Sequence, residues 1–340
     1  MKTKVIDGDI PDEIHIEWGK FVISHPLGTI FQSPQYFRIF AKQDAFRPVA
    51  VIMLDDTQNV TGVLSGIIQY QLPRPLRHLA SRCIVMGGPL VKNDDPDLLK
   101  QILDAFDSFI CKKTIYTQFR NLFDMNFAKN HFAIRNYQFE DHLNILVDLT
   151  RSEEALWKEV HKQKRYEIRR ATRDGLIFKP ITSYTDLKTS YELLIGIYKR
   201  IKLPIFPYTV FENAFAMLRH EGIAAFWGAY LEDNLIGTMY NFCFNGRIYD
   251  YFAGSKSIHN DKFPNSLIPW QVMMWGKSNG MSLFDWGGAG KPGVPYGVRD
   301  YKEKFGGETV NFGRFEKIHK PTLFRIAKSS FNILKYLKRG

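Results

Sequence analysis

The residues best suited to chemistry lie towards the end of the chain. The run Tyr301-Lys302-Glu303-Lys304-Phe305-Gly306-Gly307 follows a loop rich in glycine and proline. A lysine beside such a loop can stabilise an oxyanion or a phosphate by charge. Its ordinary alternative is a solvated surface cation. Asp285 stands near the end of an expected strand, Met281–Trp286. There it can handle a proton, or it can serve as a structural acceptor for the glycine loop that follows, which is the favoured role.

That loop, Gly288-Ala289-Gly290-Lys291-Pro292-Gly293, spells G-x-G-x-x-G after a strand. A dinucleotide site requires a helix to open within the motif, and Pro292 and Pro295 interrupt any helix there. Lys291 is followed by Pro rather than Ser or Thr, so the loop is not a P-loop either. It reads as a site-forming loop at a strand end.

A second group is electrostatic. Lys158, Lys162, Arg165, Arg169 and Arg173 recur at spacings of four, three, four and four, which places them along one face of an expected inter-half helix. Lys162, Arg165, Arg169 and Arg173 are the candidate polyanion contacts; the plain alternative is a solvated charged face. Tyr249, Tyr251 and Phe252 lie on an expected strand, and Trp270 and Trp275 on the helix after it. Most such aromatics are core, although some can line a groove for a sugar or peptide. No Ser-His-Asp or Cys-His spacing is legible, and no histidine pair has metal-ligand spacing, so no metal is expected.

These residues need a scaffold. In the first half, strands are expected at Val49–Leu54, Val60–Tyr70 and Cys83–Met86, a helix from Pro96, and a strand at Thr114–Arg120. The second half repeats the order: Ile223–Leu231, Leu235–Phe244, the hairpin signal Asn245-Gly246, Arg247–Ala253, a helix over Pro264–Asn279, and Met281–Trp286. Strand, strand, strand, helix, strand therefore occurs twice. Helices Pro34–Lys42, Asp186–Ile201 and Tyr208–His220 precede the two sheets, and Thr150 with Glu153 fits a capping box for the inter-half helix. The expected fold is α/β (α+β). Its divisions are residues 1–150, residues 151–310 with the active site, and residues 311–340 as a C-terminal strand and basic amphipathic helix.

The chain has 340 residues, a net charge of +11 and 45% apolar residues, which suits a soluble protein with anionic partners. Its three cysteines, Cys83, Cys111 and Cys243, are far apart and read as reduced core residues. No signal-peptide run and no membrane span is present, so a cytoplasmic location is expected, with any membrane contact peripheral. The last segment, from Lys320, repeats Leu323, Ile326, Phe331, Leu334 and Leu337 at helical spacing, with Lys328, Lys335, Lys338 and Arg339 among them. It can lie on an anionic membrane, at the inner face of the cytoplasmic membrane, or dock on the protein.

Taken in order, several segments resemble the Fem family of peptidoglycan interpeptide-bridge transferases. They are WGKFVISHPLGTIFQSPQYF with its Gln-containing turn, MGGPLV with its Gly-Pro turn, and the central VDLTRSEEALWKEVHKQKRYEIRRATRDGL. The strand–helix–strand run from YDYFAGSKS to FDWGG and the closing YGVRDYKEKFGG complete the series. The resemblance covers almost the whole chain. It implies tandem acetyltransferase-like (GNAT) halves with mixed, mainly antiparallel sheets flanked by helices, the first half supporting the second. It also implies transfer of an amino acid from aminoacyl-tRNA to an amine of a lipid-linked or nucleotide-linked cell-wall or glycan precursor. Lys302 would be the lysine of the family's aromatic–Lys pair, with Tyr301 in place of the usual Phe. Arg200 and Tyr251 would contact the anionic acceptor, and Tyr301 and Tyr249 are the further substrate-binding candidates. The long charged helical hairpin of some members is absent, so an acyl-CoA donor stays open; the pyrophosphate loop of ordinary acetyltransferases is absent too. No bound cofactor is expected, and the donor acts as co-substrate. The competing readings are an acyl-CoA-dependent N-acyltransferase of surface-polysaccharide synthesis and a non-catalytic tandem protein that binds a glycan precursor or tRNA.

Overall fold

The computed structural model describes residues 1–327. The chain forms two compact units, Met1–Asp141 together with the segment from Phe312, and His142–Asn311.

The first unit contains β1 (Lys2–Asp7), α1 (Asp12–Ser24), α2 (Pro34–Ile39), β2 (Phe46–Leu54) and β3 (Val60–Tyr70). It continues with β4 (Ser81–Met86), the short β5 (Leu90–Val91), α3 (Pro96–Lys113), β6 (Tyr116–Arg120), α4 (Lys129–Ile134) and β7 (Gln138–Glu140). Asp95 caps α3 by accepting from the Asp97 and Leu98 amides, and Pro96 fills the first helical position. The sheet runs β1-β2-β3-β4-β6, then a strand from the far end of the chain, then β7, with β5 on β3. That inserted strand, Arg314–Ile318, returns because it carries Phe315. The ring is buried and stacks on Phe132 with centroids 4.1 Å apart. Burying one such ring stabilises a fold by about 1.5–3 kcal/mol.

The second unit opens with β8 (Leu143–Asp148), α5 (Glu153–Glu159), α6 (Lys162–Arg173), β9 (Leu176–Pro180), α7 (Tyr184–Arg200) and α8 (Tyr208–Leu218). β10 (Ala224–Leu231), β11 (Asn234–Phe244), β12 (Arg247–Ser255), α9 (Pro264–Ser278), β13 (Leu283–Gly288), α10 (Gly297–Glu303) and β14 (Glu308–Asn311) follow. The sheet order is β14-β8-β13-β12-β11-β10-β9. Ile145, Val147, Ile248, Phe284 and Trp286 of the sheet pack with Leu267, Trp270 and Met273 of α9 in one buried core. In each unit, one strand pair is parallel: β4 with β6, and β12 with β13.

Three expectations change. Leu143–Asp148, placed with the first half from sequence, pairs with β13 and β14 of the second sheet, and the Arg314–Ile318 strand, β15, pairs with β6 and β7 of the first. The inter-half helix is two helices, because Val160 leaves helical geometry to bury itself beside Leu156 and Ile168. Its cap is Ser152, whose hydroxyl accepts from the Ala155 amide, while Thr150 instead donates to Asp148. Within the C-terminal segment, residues 321–327 are helical; Lys328, Phe331, Leu334, Lys335, Leu337, Lys338 and Arg339 lie outside the described residues.

Candidate functional site

The parallel pair of the second unit comes apart. β12 and β13 are in register at Arg247 with Leu283, Ile248 with Phe284, and Tyr249 with Asp285. Pairing stops there, yet β12 continues to Ser255 and β13 to Gly288. Both strands are bulged just past the stopping point. On β12, Tyr251 is the extra residue between the Asn241–Asp250 and Tyr240–Phe252 pairs. On β13, the register against β8 shifts between Asp285 and Gly288, where Gly287 has φ +67°. A bulge bends its strand and frees backbone groups from the ladder. The strands therefore diverge and leave a gap that opens at Asp250 and Asp285.

Lys302 of α10 reaches the end of β13 that borders this gap. Its ammonium is buried, at 8% exposure, and donates to the carbonyls of Trp286 at 2.5 Å and Gly288 at 3.0 Å. Both carbonyls belong to the bulged end of β13. Two of the three N–H donors of the lysine are thus committed to backbone. Asp285, only 2% exposed, accepts from the Gly287 amide at 2.7 Å. Burial pushes the Asp285 carboxyl up to about 6, against the opposing pull of the Gly287 amide and the Lys302 charge. Burial likewise raises Asp250 to about 6, with Lys302 opposing and Asp285 adding to the rise. Burial lowers Lys302 below an ordinary lysine, while the two carboxylates pull the other way. The cluster thus gathers two carboxylates with raised pKa and one lysine with lowered pKa at the end of β13.

A second polar group braces α10. Lys164 of α6 donates to Glu167 at 2.6 Å and to Ser266 at 2.8 Å, and Ser266 donates to Glu167 at 2.6 Å; all three residues are buried. The Lys164 ammonium lies over the Tyr301 ring, 5.0 Å from its centroid. The Tyr301 hydroxyl donates to the Asn265 carbonyl at 2.5 Å. α6, α9 and α10 are thereby tied together immediately next to Lys302. After α10, Gly307 takes φ +96°, and a Cβ there would sit 2.4 Å from the Leu146 carbonyl oxygen, which requires glycine.

Residues 158–303 match the family model of the acetyltransferase (GNAT) domain, a span that includes every residue of this cluster. No curated protein sequence matches the chain. Among solved structures, FemX superposes with a TM-score of 0.72 at 14% identity, over 96% of this chain and 99% of that one. This chain has the tandem GNAT fold. L-PGS from Bacillus licheniformis is similar at TM-score 0.59 and 16% identity, over 94% of this chain and 98% of that one. A tandem GNAT protein from the clavulanic acid biosynthesis pathway is similar at TM-score 0.57 and 12% identity, over 94% and 99% of the two chains. The tandem architecture and the Fem-like resemblance expected from sequence are met at the level of the fold, and the domain match makes the second GNAT unit acyltransferase in type.

Of the residues singled out in the sequence, the second GNAT unit brings Lys302, Asp285 and Tyr249 to the divergence point; Tyr249 is buried and sits opposite Asp285 in the register. Tyr301 packs beside them against Trp286 and Phe305. Tyr251, the bulge residue, joins an aromatic cluster with Phe206, Phe242 and Phe252. Arg200 is exposed at the end of α7, and among the described residues no hydrogen bond or ion pair joins it to the Lys302 cluster. The basic stripe is divided by the helix break. Arg165 donates to the carbonyls of Trp157 and Lys158 at the end of α5, and Arg169 lies over the Trp157 ring, so both fasten α5 to α6. Lys162 and Arg173 remain exposed. Asp250, Lys164, Glu167 and Ser266 were not anticipated. The available signals were a single acid within the aromatic strand RIYDYFA and a single acid within a basic helix.

Proposed function

We propose that the second GNAT unit transfers an aminoacyl or acyl group to an amine of a cell-wall or surface-polysaccharide precursor. The observation that carries this reading is the divergence of β12 from β13 around Lys302, Asp250 and Asp285. In the proposed reaction the acceptor nitrogen attacks an activated ester or thioester carbonyl, and a C–N bond forms. The tetrahedral oxyanion collapses as the C–O or C–S bond breaks, and the alcohol or thiol leaves with a proton. No covalent enzyme intermediate is needed. The remaining N–H of Lys302 supplies charge to the oxyanion. The Asp250–Asp285 pair accepts the proton released by the amine. Holding donor and acceptor in the gap supplies the rest, up to about 7–11 kcal/mol when positioning is ideal.

Aminoacyl-tRNA is the donor in this reading, with a lipid-linked or nucleotide-linked glycan precursor as acceptor; the net charge of +11 suits two anionic substrates. Acyl-CoA is the second donor, favoured by the match to an acetyltransferase domain. The test presents the full chain with charged tRNA and, separately, with acetyl-CoA, plus a muropeptide amine acceptor. Amino-acid transfer with salt-sensitive tRNA binding supports the first donor. Acyl transfer from the thioester, indifferent to tRNA, supports the second. Tight binding of either donor with no turnover would overturn the enzymatic reading.

A further inference from the structure

The first unit carries a surface that its core does not explain. Between β3 and β4 the chain makes an excursion, Gln71 to Ala80, of sequence QLPRPLRHLA. Leu72, Leu76 and Leu79 are 39%, 54% and 47% exposed, so the excursion turns its apolar side chains outward. A single exposed leucine is unremarkable. Three within eight residues, alternating with Arg74 and Arg77, form an amphipathic edge.

Other cations converge on the same edge. Ser81, at the base of the excursion, donates to the Lys113 carbonyl at the end of α3. The amide of Lys320 donates to Ile115, and Phe324 packs edge-on to Tyr116, which receives a hydrogen bond from Arg82. The strand end and residues 321–327 therefore lie beside the excursion, adding Arg325 and the 58%-exposed Ile326. Burial first, then the positive fields of Arg77, Lys320 and Lys113, hold the His78 imidazole below its ordinary pKa, in keeping with cations gathered on one side. Nearby acids are few: Asp44 pairs with Arg74 at 3.5 Å, and Asp7 is shared between Arg47 and Lys113.

We propose that the 71–80 excursion, with residues 321–327 beside it, docks on an anionic lipid bilayer. The leucines enter the headgroup–acyl boundary, and Arg74 and Arg77 pair with lipid phosphates. Charge complementarity alone would serve a nucleic acid equally well. The leucines decide for lipid, since a phosphodiester backbone leaves them in water while a bilayer buries them. The proposal concerns the first unit and stands whether or not the transfer reaction does.

Sedimentation of the full chain with vesicles tests it. Vesicles of phosphatidylcholine mixed with phosphatidylglycerol should carry the protein down, and vesicles of phosphatidylcholine alone should not. Leu72→Ser, Leu76→Ser and Leu79→Ser combined should weaken retention tenfold or more, on the order expected for removing three inserted side chains. Arg74→Glu and Arg77→Glu should weaken it by at least about fivefold each. Ile258→Ser, at an 81%-exposed position of the second unit, should leave it unchanged. All these positions are exposed except Arg77, which is half-buried over the Tyr70 ring, and unchanged circular dichroism checks folding. Failure of the wild-type chain to sediment with anionic vesicles overturns the proposal. So does full retention of the triple-leucine variant, or loss of binding to tRNA instead of vesicles when the arginines are reversed.

Discussion

The two parallel strand pairs occupy equivalent places in their units and end differently. In the first, β4 and β6 stay paired through Met86 and Arg120, and the Gly87 amide continues the ladder by donating to Arg120 at 2.8 Å. The turn beyond is closed by a neutral side chain. Gln32 donates to the Gly88 carbonyl at 2.7 Å and accepts from the Thr29 amide and hydroxyl, all buried. In the second, β12 and β13 part after three residue pairs, and ionisable groups occupy the gap. One fold thus provides a sealed pair and an open pair. At the turn that closes the sealed pair, the buried Gln32 amide meets only neutral partners, which suits stability. The open pair keeps two carboxylates at raised pKa around a lysine, which disfavours folding and suits chemistry.

The two pairs differ most at Lys302, which has no counterpart at the Gln32 turn. Lys302→Ala should reduce transfer by about a hundredfold or more, on the scale of losing a preorganised oxyanion donor. It should also loosen the end of β13 that the lysine fastens, which amide exchange at Gly287 and Gly288 would report. Asp250→Asn and Asp285→Asn should each lower turnover by about tenfold to a hundredfold, measured at saturating donor. With both carboxyls near 6, wild-type activity should fall as pH drops through about 6, because a protonated pair cannot accept the amine proton; a rate profile flat to pH 5 would break this assignment.

Stability should move in the opposite direction. The Asp285 pKa is raised on folding, so the folded chain holds that proton more tightly than the unfolded one. The group favours folding most below about pH 4 and progressively less as pH rises to 6. Asp285→Asn should therefore stabilise the second unit at pH 8, by about 1–3 kcal/mol, read as a higher denaturant midpoint. Gln32→Ala should do the reverse in the first unit. It strands buried partners and should cost about 2–4 kcal/mol, with transfer per folded molecule unchanged. The smallest effect belongs to the exposed cations. Lys162→Ala and Arg173→Ala should leave stability within about 0.5 kcal/mol, whereas Arg169→Ala should loosen α5 through loss of its contact with Trp157.

Much of this scaffold was legible because its signals are local. Val60–Tyr70 is a strand over those same residues, Asp95-Pro96 starts α3, and Asn245-Gly246 turns the hairpin with φ of 48° and 71°. α9 ends at Ser278, one residue short of the expected boundary, and Gly280 follows with φ +74°. What was not legible depends on partners distant in sequence. β7 has no buried residue and is held by β15, whose Phe315 pairs with Phe139 from the far end of the chain. The kink at Val160 follows from a core that forms only when β8 joins the second sheet. Lys302 stood out through its glycine-rich surroundings, and Asp285 through its place at a strand end. Asp250 did not stand out, because only the bulge at Tyr251 and the ending of the parallel pair turn an acid in a strand into part of a cluster.

On the proposed function, chemistry belongs to the open pair and architecture to the sealed one. Transfer of a labelled aminoacyl or acyl group to an amine acceptor, measured side by side for wild type, Lys302→Ala and Gln32→Ala and normalised to folded protein, tests it directly. Transfer should stay near wild type for Gln32→Ala and fall by about a hundredfold or more for Lys302→Ala. Full transfer by a folded Lys302→Ala chain would contradict it.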